Sequence, residues 1–371
     1  MFSLRTTPFL EQGDLTLRNG RIALLCNQAA WHPDRGAYLF DLMAERGNLA
    51  KLFLTSHSFY GPFGENPATP EIPTVEVESE LPIGELDGMD ALVIELQDIG
   101  SRYSRFTNLL RTLFAQLKEA GSELPIYIID RTVPSGRQIE GPMGGSGIPP
   151  RHGLTFGEMA NLFYSEMNAR FPVHIISAGA EAVNKELMPW SIPPFSDFCG
   201  LFTSHFYSGQ CLWRGTNVSY GHGTTRPFEQ FGAPFMEPLL DYNRRHGFDG
   251  WNDPAGPISS DEVMLRPTRF VPGYGIWAGE VCTGFQLLFI PGKTYHAYNH
   301  ALRIIRFVRE ECPEMRFEGI EKYIDDPRIM EFLEGGAGWD ETREYIKGEE
   351  QKWLRKSKKY LLYDEAPWRV K

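Results

Sequence analysis

The chain has 371 residues, of which 42% are apolar and 23% charged, and a formal net charge of −11. That length accommodates two domains with substantial cores, and the composition is ordinary for a globular protein. The acidic balance excludes a non-specific nucleic-acid binder, which needs a broad basic face, although a small basic pocket remains compatible with it.

Arg21 to Cys26 reads as a first buried strand that runs into Asn27-Gln28. A helix follows over Tyr38 to Arg46, with Gly47 as its stop signal. Lys51 to Thr55 is a second strand ending at Ser56-His57, and Thr74 to Val77 a short third. Ala91 to Leu96 runs into Gln97-Asp98-Ile99-Gly100-Ser101-Arg102, and Pro125 to Ile129 into Asp130-Arg131. Between these two lies an amphipathic helix, Asn108 to Ala120, closed by Gly121. Short runs of Ile, Val and Leu alternating with helix-length segments predict a parallel sheet.

Thr132 to Pro150 is rich in Gly and Pro and reads as a long loop. Thr155 and Glu158 form the capping-box signature of a helix start, and Val173 to Ser177 is another strand. Pro189 to Pro234 is dense in Gly, Pro and aromatics with little periodicity, and Asp340 to Tyr360 is a charged helix. The expected architecture is α/β: a parallel-sheet domain over 1–150 and a second domain over 151–371.

Ligands of open α/β sheets sit outside the carboxyl ends of the strands. Asn27, His57, Asp98, Arg102, Asp130 and Arg131 are therefore expected to converge on one crevice, with Ser56 beside them. Asp98 and Arg102 suit a hydroxyl-rich ligand; the blander possibility is that they pin a loop. Glu140 is a carboxylate in the Gly-rich loop, where a turn role competes with acid catalysis. Arg151 and His152 precede a helix N-terminus, whose N–H groups attract anions. The run Gly215 to Glu229, with Asn217, His222 and Thr224, is a loop suited to wrapping a sugar and lacks P-loop spacing. No G-x-G-x-x-G follows the first strand, so no dinucleotide is expected.

Residues 1–20 hold no apolar signal-peptide core, and no stretch is long and apolar enough to span a bilayer. The sequence as written reads as cytoplasmic, without a membrane partner and with no indication of oligomeric state. The five cysteines, Cys26, Cys199, Cys211, Cys282 and Cys312, form no C-x-x-C pair. They read as buried thiols rather than a disulfide framework or zinc site.

Taken together, Leu24 to Gln28, Gln97 to Arg102, Asp130-Arg131, Glu140-Gly141-Pro142, Arg151 to Glu158, Gly215-Thr216-Asn217 with Gly223 to Glu229, and Lys359 to Tyr363 resemble a bacterial family once known only as a domain of unknown function. Its characterised members are exo-β-N-acetylmuramidases of the NamZ type, which release N-acetylmuramic acid from peptidoglycan fragments. The resemblance implies that the first domain is Rossmann-like and the second a smaller α/β (α+β) domain, with the site in the cleft between them. It also exposes departures. The family's Pro-Glu-His-Gly, whose Glu is the expected catalytic carboxylate, is Thr55-Ser56-His57-Ser58 here. A strand-end Asp of the family is Glu95, and its Ser-Glu-Gly-Arg-Gly is Ser219-Tyr220-Gly221-His222-Gly223.

The resemblance implies a glycosidase-like protein acting on an N-acetylmuramic-acid-type sugar, needing no metal and no cofactor. His57, Asp98, Glu140 and Glu158 are then the catalytic candidates. Asn27, Ser56, Arg102, Asp130, Arg131, Arg151, His152, Asn217, His222 and Thr224 are the binding candidates, and the arginines suit a lactyl carboxylate. Glycoside cleavage normally needs two carboxylates, so Ser56 raises an alternative: a silent paralogue that binds a sugar or cell-wall fragment. A third reading is a changed preference for another acidic sugar.

Overall fold

β1 (Ile22–Cys26) is buried at every position, which is what a central parallel strand covered on both faces requires. The computed structural model describes residues 17, 19–32, 35–56, 71–176, 192–195, 197–290 and 292–363. Two compact units emerge. The first holds the chain up to Arg137, Gly153–Ser196 and the segment from Ser357; the second holds Gln138–His152 and Asp197–Lys356.

In the first unit, β2 (Trp31–His32) and β3 (Ala37–Tyr38) form a small antiparallel ribbon leading into α1 (Leu39–Glu45). The main sheet then adds β4 (Leu49–Thr55), β5 (Thr74–Val77), β6 (Ala91–Glu95), β7 (Ile126–Ile129) and β8 (Val173–Ile176). Their order is β5-β4-β1-β6-β7-β8, and every neighbouring pair is parallel. Leu24, Leu52, Leu54 and Val93 pack into one fully enclosed core with α1 residues Leu39 and Phe40. Each such aliphatic side chain contributes roughly 1.5–3 kcal/mol by leaving water.

The expected helix after β6 begins earlier than its apolar periodicity suggests. α2 covers Arg105–Glu119, because the Ser104 hydroxyl caps it by accepting from the Phe106 N–H at 3.2 Å. α3 (Phe156–Glu166) carries the predicted capping box. Thr155 Oγ1 accepts from the Glu158 N–H (3.2 Å), and Glu158 Oε2 accepts from the Thr155 N–H (3.0 Å). α3 and β8 both belong to the first unit. A single cut near residue 150 therefore does not separate the units: the chain leaves the first at Gln138, returns at Gly153 and returns again at Ser357.

The second unit contains α4 (Thr203–Gln210), β9 (Gln230–Ala233), α5 (Tyr242–His246), β10 (Val263–Phe270), β11 (Cys282–Phe289), α6 (Ala297–Glu311), α7 (Glu321–Ile324), α8 (Pro327–Leu333) and α9 (Trp339–Ser357). Its strands form an antiparallel sheet in the order β10-β11-β9. Two of these elements, α4 and β9, fall in the stretch Pro189 to Pro234 that shows no regular periodicity. All eight α4 residues are buried, so the helix lacks the polar stripe on which periodicity depends.

Candidate functional site

The strand order reverses at β1: the chain builds outward through β4 and β5, then crosses back to place β6 on the other side of β1. In such sheets the reversal point is where ligands bind, at the carboxyl ends of the strands. Asn27, immediately after β1, locks this edge. Its side-chain amide donates to the Gln97 carbonyl (3.2 Å), while its oxygen accepts from the Ala29 N–H (3.1 Å) and the Gln97 N–H (3.4 Å).

The last residue of β6, Glu95, is fully buried there. Its Oε1 accepts from Arg131 Nη2 at 2.6 Å, and its Oε2 lies 3.3 Å from His32 Nε2. Burial by itself pushes this carboxyl up, but the Arg131 guanidinium and the His32 ring more than offset it and hold the group below its ordinary value. Sequence reasoning placed neither His32 nor Glu95 among the site residues. The available signal was a lone acid closing an otherwise apolar strand, which demands a buried partner.

Ser56 follows β4 on the same edge. It is buried, donates its N–H to the Val77 carbonyl (2.9 Å) and receives the Arg105 guanidinium on its carbonyl (2.7 Å). His57 lies outside the described residues. Arg102 is buried and stacks over the Tyr103 ring at 5.3 Å.

Asp98 pins its own turn. Its carboxylate accepts from the Ser104 hydroxyl and from the Gly100 N–H (2.9 Å), pinning the turn that starts α2. Burial raises its pKa, and those hydrogen bonds oppose the rise. Gly100 sits at φ +80, where a Cβ would meet Val133 at 2.3 Å, so this turn admits no side chain.

The helix N-terminus expected to attract a ligand anion is supplied with one by the chain itself. Asp130 accepts from the Gly157 N–H (2.7 Å), Thr155 Oγ1 (2.7 Å) and the Tyr363 hydroxyl (2.7 Å). Burial lifts its pKa to about 6, against the pull of those three donors. Glu158 is likewise hydrogen-bonded: both terminal guanidinium nitrogens of Arg137 bond it, Nη2 at 2.9 Å, and it accepts the Leu362 N–H at 3.2 Å.

In the second unit Glu140 and Arg151 face each other across an antiparallel bridge. Arg151 Nη1 reaches Glu140 at 2.6 Å, and Glu140 also accepts from Ser208 Oγ (2.7 Å) and the Tyr298 N–H (3.1 Å). Burial lowers the Arg151 pKa despite its partner. His152 is fully buried and its carbonyl accepts from Trp353 Nε1 (2.9 Å). Asn217 holds two strand-like segments together through Glu314 (2.9 Å) and Arg316 (2.8 Å). Thr224 closes a turn by donating to the Gly221 carbonyl at 2.6 Å.

His222 differs from these. Its Nε2 lies 3.3 Å from Asp197 Oδ2, with the two side chains 27% and 29% exposed, so the pair is partly open to solvent, unlike the buried carboxylates described above. Sequence reasoning missed Asp197 and Tyr274, whose hydroxyl lies 3.4 Å from Asp197 Oδ1. Among the described residues no three His, Cys, Asp or Glu side chains group so as to hold a metal ion, and no helix is long and apolar enough to cross a membrane.

Comparison with known proteins accounts for this architecture. The N-terminal model of exo-β-N-acetylmuramidase NamZ matches residues 22–193 and the C-terminal model matches residues 205–363. The peptidoglycan β-N-acetylmuramidase NamZ of Bacillus subtilis (strain 168) is 25% identical over 295 residues, spanning 75% of this chain and 68% of that protein. Two crystal structures of DUF1343 family proteins from Bacteroides fragilis NCTC 9343 share the fold, with TM-scores of 0.76 and 0.72 at 21% identity. Each alignment covers 96% of this chain and 97% of the other. Matches to both family models, one over residues 22–193 and the other over residues 205–363, mean that this chain belongs to the exo-β-N-acetylmuramidase NamZ family.

Proposed function

We propose that the chain binds an N-acetylmuramic-acid-type sugar derived from peptidoglycan and does not cleave it by a two-carboxylate route. Family membership supports the ligand class. One observation carries the loss of cleavage: at the end of β4, where the family has its expected acid, the residue is Ser56, and Asp98, Glu140 and Glu158 are each buried with their carboxylates already hydrogen-bonded. Glycoside hydrolysis needs one carboxyl group to protonate the leaving oxygen and a second to attack or activate water. A serine hydroxyl cannot supply that proton at neutral pH, and loss of a general acid reduces rate by roughly 10²–10⁴-fold.

The test uses a chromogenic N-acetylmuramide alongside a direct binding measurement. The parent chain is expected to bind the sugar without releasing chromophore, and Ser56→Glu to gain release. A second reading, hydrolysis with His57 as proton donor, is favoured by the persistence of that His beside Ser56. It predicts release by the parent and its loss in His57→Ala; turnover by the parent would overturn the first reading.

A further inference from the structure

In the second unit, α6 starts on a titratable cap. His296 is buried, and its Nδ1 accepts the Asn299 N–H at 3.2 Å, the role that Ser, Thr, Asp or Asn fills at most helix starts. A ring nitrogen that accepts carries no proton, so the proton of the neutral ring sits on Nε2 and is donated to Glu350 Oε1 at 2.8 Å. The same Glu350 oxygen accepts the Gly141 N–H at 2.8 Å, and the His296 N–H donates to Glu262 Oε2 at 3.1 Å. The capped helix is compatible with a neutral ring alone. A second proton could enter only at Nδ1, where it would face the Asn299 N–H donor against donor.

The surroundings favour the opposite charge state. Glu350 comes from α9, Glu262 from the residue before β10, and Glu140 from the bridge with Arg151, whose guanidinium it meets at 2.6 Å. α4 contributes the Ser208 hydroxyl, which donates to Glu140 at 2.7 Å. Burial by itself pushes the His296 ring down, but Glu350, Glu140 and Glu262 more than offset it and hold the ring above its ordinary value. His300, one turn further along α6, is fixed between the Tyr295 hydroxyl and the Ile258 carbonyl, and burial holds it down at about 4, so it stays neutral. Glu350 Oε2 is fully buried and has no hydrogen-bond partner among the described residues, a vacancy that folded proteins normally fill.

We propose that His296 is a proton-operated cap. The neutral ring caps α6; the imidazolium releases the Asn299 N–H and turns its second N–H to the vacant oxygen of Glu350. The released state holds one more proton, so a fall in pH favours it. The first turn of α6 also carries the Tyr298 N–H, bonded to Glu140 Oε2 at 3.1 Å, and the Ala297 carbonyl against which Gly209 of α4 lies. Acid therefore loosens the seam between α4 and α6 while the rest of α6 keeps its own hydrogen bonds. The device is independent of the ligand proposed above.

Hydrogen exchange followed by NMR on the full chain, from pH 8 to pH 5, tests it. The protection factor of the Asn299 amide is expected to fall about tenfold per pH unit once the released state takes up its proton. In His296→Asn, which caps at every pH and does not titrate, protection there should vary by less than about twofold. Glu350→Gln should move the fall to lower pH, because the charge that favours the imidazolium is gone. The imidazole nitrogen shifts of the parent need no variant, and decide the matter where a variant does not fold: the Nε2–H tautomer at pH 8, with the imidazolium appearing in step with the loss of protection. Protection at Asn299 that stays constant while the parent ring titrates overturns the inference. An equal fall in His296→Asn, or an unmoved fall in folded Glu350→Gln, overturns it as well.

Discussion

Arg131 donates to Glu95 at 2.6 Å across the carboxyl ends of two neighbouring parallel strands, at the edge where the sheet order reverses. Both partners are buried, so neither charge is well solvated without the other. Glu95→Gln leaves the guanidinium enclosed without a counter-charge, and it is expected to destabilise by about 3–5 kcal/mol at neutral pH. The pH dependence has a definite sign. Glu95 is held below its ordinary value, so its stabilising contribution is complete above the unfolded carboxyl range, about 4.3, and is lost as pH falls. Urea unfolding at pH 7 and near pH 3.5 should show the gap between parent and variant shrinking on the acid side; a gap that is equal at both pH values rules this account out.

Asp130 points the other way. Its pKa is raised to about 6 in the folded state, so its contribution is complete below about pH 4 and is lost as pH rises through 6. A two-unit displacement corresponds to about 2–3 kcal/mol. Asp130→Asn removes the titration. Whatever its absolute stability, its advantage relative to the parent should grow by that amount between pH 4 and pH 7. Unfolding curves collected across that range check the slope.

These two residues also show what the sequence made legible. The strands β1, β6 and β7 and the Thr155–Glu158 capping box were readable because each is written within a few consecutive residues. The placement of Asn27, Ser56, Asp98 and Arg131 at strand ends followed from the same pattern. Their partners were not readable. His32 meets Glu95 across 63 positions of chain and Tyr363 meets Asp130 across 233, and no local periodicity encodes such pairings. Asp98 illustrates a further limit: a strand-end acid that serves a ligand and one that caps its own turn are spelled alike.

Glu158 ties the closing segment to the first unit through the Leu362 N–H, while Tyr363 donates to Asp130. Glu158→Gln breaks the charge-assisted pair with Arg137 and weakens that tie. Amide exchange at residues 358–363 should speed by more than about tenfold, the effect of roughly 1.4 kcal/mol, with smaller changes in β1 and β6. Tyr363→Phe, which removes one neutral donor, should produce a smaller increase confined to the same segment.

Gly209 sets two effects of opposite sign against each other. Replacing an interior helical Gly by Ala ordinarily stabilises by about 1 kcal/mol. In α4, however, a Cβ at this position would lie 2.3 Å from the Ala297 carbonyl oxygen and 2.7 Å from its carbon, where α4 approaches the start of α6. Backbone atoms at a helix start cannot move aside as a side-chain tip does, and overpacking of this kind costs about 1–3 kcal/mol or more. Gly209→Ala is therefore expected to destabilise on balance. Gly348, in the exposed face of α9, has nothing within 4 Å of its would-be Cβ. Gly348→Ala should raise the melting temperature, so the same substitution in two helices of one unit gives shifts of opposite sign. A stabilised Gly209→Ala would mean that α4 and α6 are not packed backbone to backbone at this point.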